Sequence, residues 1–310
     1  MHPSMVFPIV VAIIGTAVVH GHPAADTPSA RFWEQALPGT PMPEAIADLV
    51  QKGIDQWPLL EHYSALPSIS VCALLYTICP TNVVERTGLF FNQAQLRSGN
   101  TMTISLPAEA EPAILPHDVA DKVPFENLGD VLATFGIPPG SVEADQVADT
   151  LRSCQAPPHI GEQKSCTTSL ESTVQTAMDM LSTTSTGMLA VTSVLPADGL
   201  PDQPYKVRAV TPLHDGAGYL ACHKMPFPYA VYQCHRSSSG RGYYGAYFVS
   251  LHGLREEVEA TMLAICHDDT SNWNPAHPAF EILHTQPGGK PVCHFIPSGN
   301  LVFIKKIAKV

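Results

Sequence analysis

Residues 222–235 read CHKMPFPYAVYQCH. The stretch opens and closes on Cys-His, and the dipeptide returns at Cys266–His267 and Cys293–His294. The residues strictly between successive dipeptides number 10, 30 and 25. Structural zinc sites draw their ligands from closely spaced cysteine knuckles, and this chain has none. On a β-strand, neighbouring side chains point to opposite faces, so a cysteine and the histidine after it do not reach one ion together. If the four dipeptides lie on neighbouring strands in matched register, the cysteines share one face and the histidines the other. The cysteines then close two bridges, and His223, His235, His267 and His294 converge into an all-nitrogen site. Imidazole clusters suit copper(II) or zinc, and tetragonal geometry favours copper. The plain alternative is that these histidines are polar partners at strand ends.

The rest of the chain sets the compartment. Of 310 residues, 45% are hydrophobic, enough for a sizeable core. The formal charge of -11 argues against nucleic acid or an anionic membrane as partner, since both select Lys and Arg. With 29 prolines and 15% charged residues, the composition suits strands and rigid connections better than a helical bundle. Residues 6–19 are uncharged and apolar but short of a membrane span, and Val19-His20-Gly21 fits a small-residue cleavage site. Residues 1–21 are therefore expected to be a secretory leader. No other stretch is long and apolar enough to span a membrane. Secretion makes disulfides the expected state of Cys72, Cys79, Cys154, Cys166, Cys222, Cys234, Cys266 and Cys293. Eight cysteines allow roughly a hundred pairings, and spacing alone does not select one.

Behind the leader, Thr40 and Pro41 read as a helix start. Met42, Ile46, Leu49, Val50, Ile54 and Trp57 then recur at helical spacing. Met102, Ile104 and Leu106 alternate with polar residues as a half-buried strand does. PFENLGDVLATFG and SVEADQVADTLRSC read as short helices, and TSLESTVQTAMDML as a longer one with a Thr168/Glu171 capping box. From Met188 the chain reads as strands. YAVYQCH and GAYFVSLHG flank the polar loop RSSSGRG as one hairpin, and AFEILHTQ and PVCHFIP flank PGGK as a second. The expected fold is α+β: short helices in the middle of the chain packed on a C-terminal antiparallel sheet, stapled by disulfides. The expected organisation is 22–60 as an N-terminal segment with an amphipathic helix, 61–86 as a short linker and 87–310 as the main domain.

Phe90-Phe91 followed by the four spaced Cys-His pairs resembles the BURP domain, a plant family of secreted proteins. The first and last spacings match the family pattern, while the middle one is longer. GEQKSCTTSLES, CHDDTSNWNPAHPAFEIL and FWEQALPGTPMPEAI are also similar to family segments. The resemblance implies an extracellular, cell-wall location and a role in development or stress. It also implies, from members that are copper-dependent peptide cyclases, a copper role for His223, His235, His267 and His294. Two functions are therefore carried forward. One is a non-enzymatic apoplastic protein whose partner is wall polysaccharide or a wall protein. The other is a copper-dependent oxidative enzyme crosslinking Tyr or Trp side chains. Residues 22–88 lack a repeated Tyr- or Trp-bearing core peptide, which weighs against a self-cyclising enzyme.

For the thiols, a short loop favours Cys154–Cys166, and the four motif cysteines are expected to pair among themselves. Cys72–Cys79 follows by elimination. Asp268-Asp269 reads as part of a polar turn, the alternative being a carboxylate that orients the neighbouring imidazole. His277 and His284 read as ordinary surface or strand positions, the alternative being that they reach a metal.

Overall fold

The structure is a computed structural model describing residues 22–55, 80–108, 112–158, 160–213, 218–237 and 244–306. The expected leader, Trp57, and the expected Cys72–Cys79 pair lie outside the described residues.

Two antiparallel sheets make the centre. The first holds six strands: β1 (Phe90–Asn92), β2 (Thr101–Pro107), β5 (Gly199–Pro212), β8 (Tyr244–Gly253), β9 (Glu259–His267) and β10 (Val292–Ile296), in the order β1-β10-β9-β8-β5-β2. The second holds β3 (Glu162–Thr167), β4 (Met188–Val191), β6 (Tyr219–Met225), β7 (Val231–Ser237) and β11 (Leu301–Lys305), in the order β3-β7-β6-β11-β4. Helices cover them: α1 (Pro28–Ala36), α2 (Glu44–Asp55), α3 (Thr81–Thr87), α4 (His117–Ala120), α5 (Leu128–Thr134), α6 (Val142–Gln155), α7 (Leu170–Leu181) and α8 (Pro278–Ile282). The α+β class holds, with two sheets rather than one.

Period-2 alternation sorts each strand's side chains between two environments. Ala221, Val302 and Ile304 of the five-stranded sheet meet Leu263, Ile265 and Ile296 of the six-stranded sheet in a core between the sheets. The opposite face of the five-stranded sheet, with Leu220, Cys222, Tyr232, Cys234 and Phe303, packs under α1, α2 and α7. The opposite face of the six-stranded sheet, with Ala264, Cys266, Cys293 and Phe295, packs under α3 and α8. A fourth cluster joins α5 and α6 to Met225, Phe227, Tyr229 and Val231.

Local signals explain most helix boundaries. Asn127 and Ser141 cap α5 and α6 by accepting from the Asp130 and Ala144 backbone N–H groups. Past α5, Gly136 takes φ 62°, a left-handed conformation that glycine adopts without penalty. The capping box of α7 lies one residue later than expected: Ser169 and Ser172 form it, not Thr168 and Glu171. Helix α2 starts at Glu44 rather than Pro41, because the Pro43 carbonyl takes the Ile46 and Ala47 N–H groups. The first expected hairpin is not one: β7 and β8 belong to different sheets. The second is not one either. Pro278 at the first helical position and His277 as N-cap turn PAFEI into α8. The expected linker 61–86 ends inside α3.

The N-terminal segment belongs to the core of the described structure. Trp33, Leu37, Ile46, Leu49 and Val50 are buried with Leu170, Val174 and Ala177 of α7. The Trp33 indole N–H donates to the Thr40 carbonyl at 2.9 Å. Helix α2 passes so close to Ile114 that a Cβ on Gly53 would lie 1.9 Å from its carbonyl oxygen. Trp33→Ala is therefore expected to lower unfolding free energy by about 3–5 kcal/mol, the usual cost of truncating a buried Trp. Urea unfolding of the full chain measures it, and an unchanged midpoint would detach the segment from the core.

Candidate metal centre

The four Cys-His dipeptides sit on two strand pairs, one in each sheet. Cys222 faces Cys234 across β6 and β7, and Cys266 faces Cys293 across β9 and β10. Both pairs are disulfides, each with its Cα atoms 3.9 Å apart. Cys154–Cys166 is the third, tying α6 to β3. Among the described residues no cysteine is free. The motif cysteines thus pair among themselves, each pair on one face of its own sheet. They do not share one sheet, because the dipeptides fall two and two.

The cysteines face outward under the helices, so alternation sends the histidines inward. His223 and His235 from one sheet meet His267 and His294 from the other. Ring centroids lie 5.2 Å apart for His223–His235, 5.9 Å for His223–His294 and 5.3 Å for His267–His294. Trp273 stands edge-on to His267 at 4.7 Å, and Phe90 packs against His294 at 6.2 Å. His223, His267 and His294 are buried. His235 is the member nearest solvent, its side chain 16% exposed.

Hydrogen bonds assign protons in this cluster. The His294 Nδ1 lies 3.1 Å from the Phe295 carbonyl, which can only accept, so Nδ1 carries the hydrogen. The neutral ring then offers a lone pair at Nε2, to which His267 Nε2–H donates at 3.2 Å. His235 Nδ1–H donates to Glu162 Oε1 at 3.0 Å. The Nε2 atoms of His223 and His235 are buried with no hydrogen-bond partner. Buried polar atoms usually find a partner, so two such nitrogens facing one cluster call for an explanation.

Burial decides the charge state. Desolvation, then the neighbouring imidazoles His235 and His294, hold His223 well below the ordinary imidazole range. Desolvation does the same to His267, reinforced by His294, His235, His223 and His277. His294 is lowered to about 4, mainly by desolvation, with its bond to the Phe295 carbonyl opposing the shift. Neutral imidazole is the ligating form. Buried neutral rings and bare nitrogens therefore suit a divalent metal that takes nitrogen ligands.

The arrangement is not a finished coordination sphere. The His267 and His294 rings are stacked, and among the described residues no three donors are grouped tightly enough to hold an ion as they stand. The 3.2 Å between the two Nε2 atoms is nonetheless close to the ~3.3 Å separating two nitrogens bound tetrahedrally at ~2.0–2.1 Å. Completing the set requires rotation of rings already held side by side.

Nearby residues divide clearly. Asp269 is a turn former, accepting from the Ser271 backbone and hydroxyl. His284 adopts φ 49° just after α8. His277 departs from the surface or strand position expected of it. It is buried, packs against Phe90 and Trp273, and its Nδ1 accepts from Ala279 N–H to cap α8. The sequence signal was His-Pro ahead of an apolar turn. Glu162 was not singled out by sequence reasoning at all.

The depressed imidazoles predict a pH dependence for the metal-free protein. The unfolded chain protonates near pH 6.5 and the folded one resists, so stability is complete above that value. It falls as pH drops from about 6.5 towards 4. His294 alone is expected to remove about 2 kcal/mol by pH 5. Urea midpoints at pH 7.5, 6 and 5 test this, and a flat profile would contradict the buried neutral cluster.

The family model described as the BURP domain matches residues 89–305, which contain both sheets and all four histidines. The chain is 39% identical to Protein RAFTIN 1A of Triticum aestivum over 251 residues, covering 80% of this chain and 63% of that protein. It is 41% identical to BURP domain-containing protein 13 of Oryza sativa subsp. japonica over 260 residues, covering 82% and 61%. It is 36% identical to BURP domain protein RD22 of Arabidopsis thaliana over 223 residues, covering 69% and 55%. The chain thus spans less than two thirds of the length of these relatives. Matched over most of its length, with the Cys-His pairs forming the disulfides and the histidine cluster of one domain, this chain belongs to the BURP domain family.

Proposed function

We propose that the chain is a secreted, disulfide-stapled protein of the plant cell wall whose four motif imidazoles bind one copper(II) ion without turnover. The observation that carries the reading is the meeting of His223 and His235 with His267 and His294 across the two sheets. Four imidazole nitrogen donors, two of them buried without a hydrogen-bond partner, are a donor set that suits copper(II). The three disulfides among the described residues support an oxidising compartment, in line with the apolar stretch at residues 6–19. Among the described residues no helix is long and apolar enough to cross a membrane. In this reading the partner is wall polysaccharide or a wall protein, and the acidic charge disfavours nucleic acid.

In such a site the His223, His235 and His294 Nε2 atoms would ligate directly. His267 would join them by moving its proton from Nε2 to Nδ1. The sheets hold the backbone of all four residues, so the protein's contribution is orientation and exclusion of water.

A second reading, copper-dependent oxidation of Tyr or Trp side chains, is favoured by one observation. His235 touches solvent, so a substrate side chain from another molecule has an approach to the cluster. Bound copper would supply the one-electron oxidation that such crosslinking needs.

Copper titration of the full chain tests the first reading. Wild type is expected to bind one equivalent, and His223→Ala and His294→Ala to lose measurable binding while keeping their disulfides and circular dichroism. Equal affinity in wild type and both variants would remove the site. Incubating the copper-loaded protein with a Tyr- and Trp-bearing peptide in air separates the two readings. A product lighter by two hydrogens would select the enzyme, and unchanged peptide the binding protein.

A further inference from the structure

His235 differs from the other three histidines in what holds it. Packing fixes His223, His267 and His294, which are buried, whereas His235 is partly open to solvent. A ring at such an edge can rotate away unless something else restrains it. The restraint present is the Glu162 carboxylate, 3.0 Å from His235 Nδ1 and itself 15% exposed.

Glu162 reaches that position through the sheet. It opens β3, the edge strand of the five-stranded sheet, where Lys164 pairs with His235. Glu162 is two residues from Lys164, so it lies on the same face as His235 and diagonal to it. Lys164, between them in register, donates its ammonium to the Ser153 carbonyl of α6 at 2.7 Å. On the same face, Cys166 is covalently joined to Cys154 of α6. The edge strand is thus fastened at one end by a disulfide, in the middle by a lysine, and carries the carboxylate at the other end.

We infer that Glu162 is a positioning residue of the four-histidine site, holding His235 with Nδ1–H outward and Nε2 towards the other three rings. The inference rests on the metal-binding reading above. A carboxylate behind a ligating imidazole fixes its tautomer and orientation and raises its basicity. Loss of such a partner typically costs 10–100-fold in metal affinity.

The test uses the full oxidised chain as wild type, Glu162→Gln, Glu162→Ala and His235→Ala. Copper(II) affinity is measured by competition with a chelator, and imidazole tautomers by 15N NMR on the metal-free protein. Glu162→Ala is expected to weaken copper binding by about 10–100-fold and to take His235 out of its single Nδ1–H form. Glu162→Gln keeps an accepting oxygen without the charge, so it should retain the tautomer and lose less affinity. A purely structural glutamate would leave the tautomer unchanged in both variants. Wild-type affinity in Glu162→Ala, alongside lost binding in His235→Ala, would overturn the positioning role and leave the metal site standing. Absence of copper binding in wild type would overturn the metal-site reading, and with it this role.

Discussion

Two residues in sequence on a β-strand cannot look the same way. The Cys-His dipeptide turns this constraint into architecture. Each cysteine goes to the helix-covered face of its sheet and each histidine to the face between the sheets. The cysteines close across neighbouring strands, and that closure fixes the register on which the histidines depend. A slip of one residue would exchange the two sets of side chains. Both disulfides join directly opposed positions, so the slip is blocked covalently as well as by burial.

The cluster between the sheets has an unusual polarity. Protein interiors avoid polar atoms without partners, because an unsatisfied buried group costs about 1–3 kcal/mol. Here two imidazole nitrogens lack hydrogen bonds beside an apolar inter-sheet core of Leu263, Ile265, Ile296 and Val302. The helices that cover the outer faces and the disulfides beneath them supply stability elsewhere. Neutral rings held this way are poor residents of a core and suitable ligands for a metal.

Much of this is legible in the sequence alone. The alternation rule separated cysteines from histidines, polar–apolar alternation located β2, and the helices read at PFENLGDVLATFG, SVEADQVADTLRSC and TSLESTVQTAMDML are α5, α6 and α7. The misreadings have a common cause. RSSSGRG announces a chain reversal, but its composition says nothing about which sheet receives the next strand. AFEIL reads equally as strand or helix over five residues, and His277 as cap decided it. Helix α1 is short, and its fit depends on α7, about 140 residues away. Strand β3 is an edge strand of mostly half-buried polar residues with no apolar alternation, so Glu162 gave no signal. What local sequence cannot carry is the pairing of distant surfaces.

The two disulfide-closed units also explain an irregularity in spacing. Within each unit the chain leaves one strand and returns to its covalent partner, across 12 residues in one case and 27 in the other. Length there is bounded by the path between two fixed strands. The segment from His235 to Cys266 answers to no such closure, since it carries the chain from one sheet to the other. Its 30 residues exceed the 10 and 25 of the spacings on either side. Among the described residues the two motif crosslinks lie within each sheet and not between them, so the junction can lengthen without straining either one. New surface can be added at that seam without disturbing either pair of histidines.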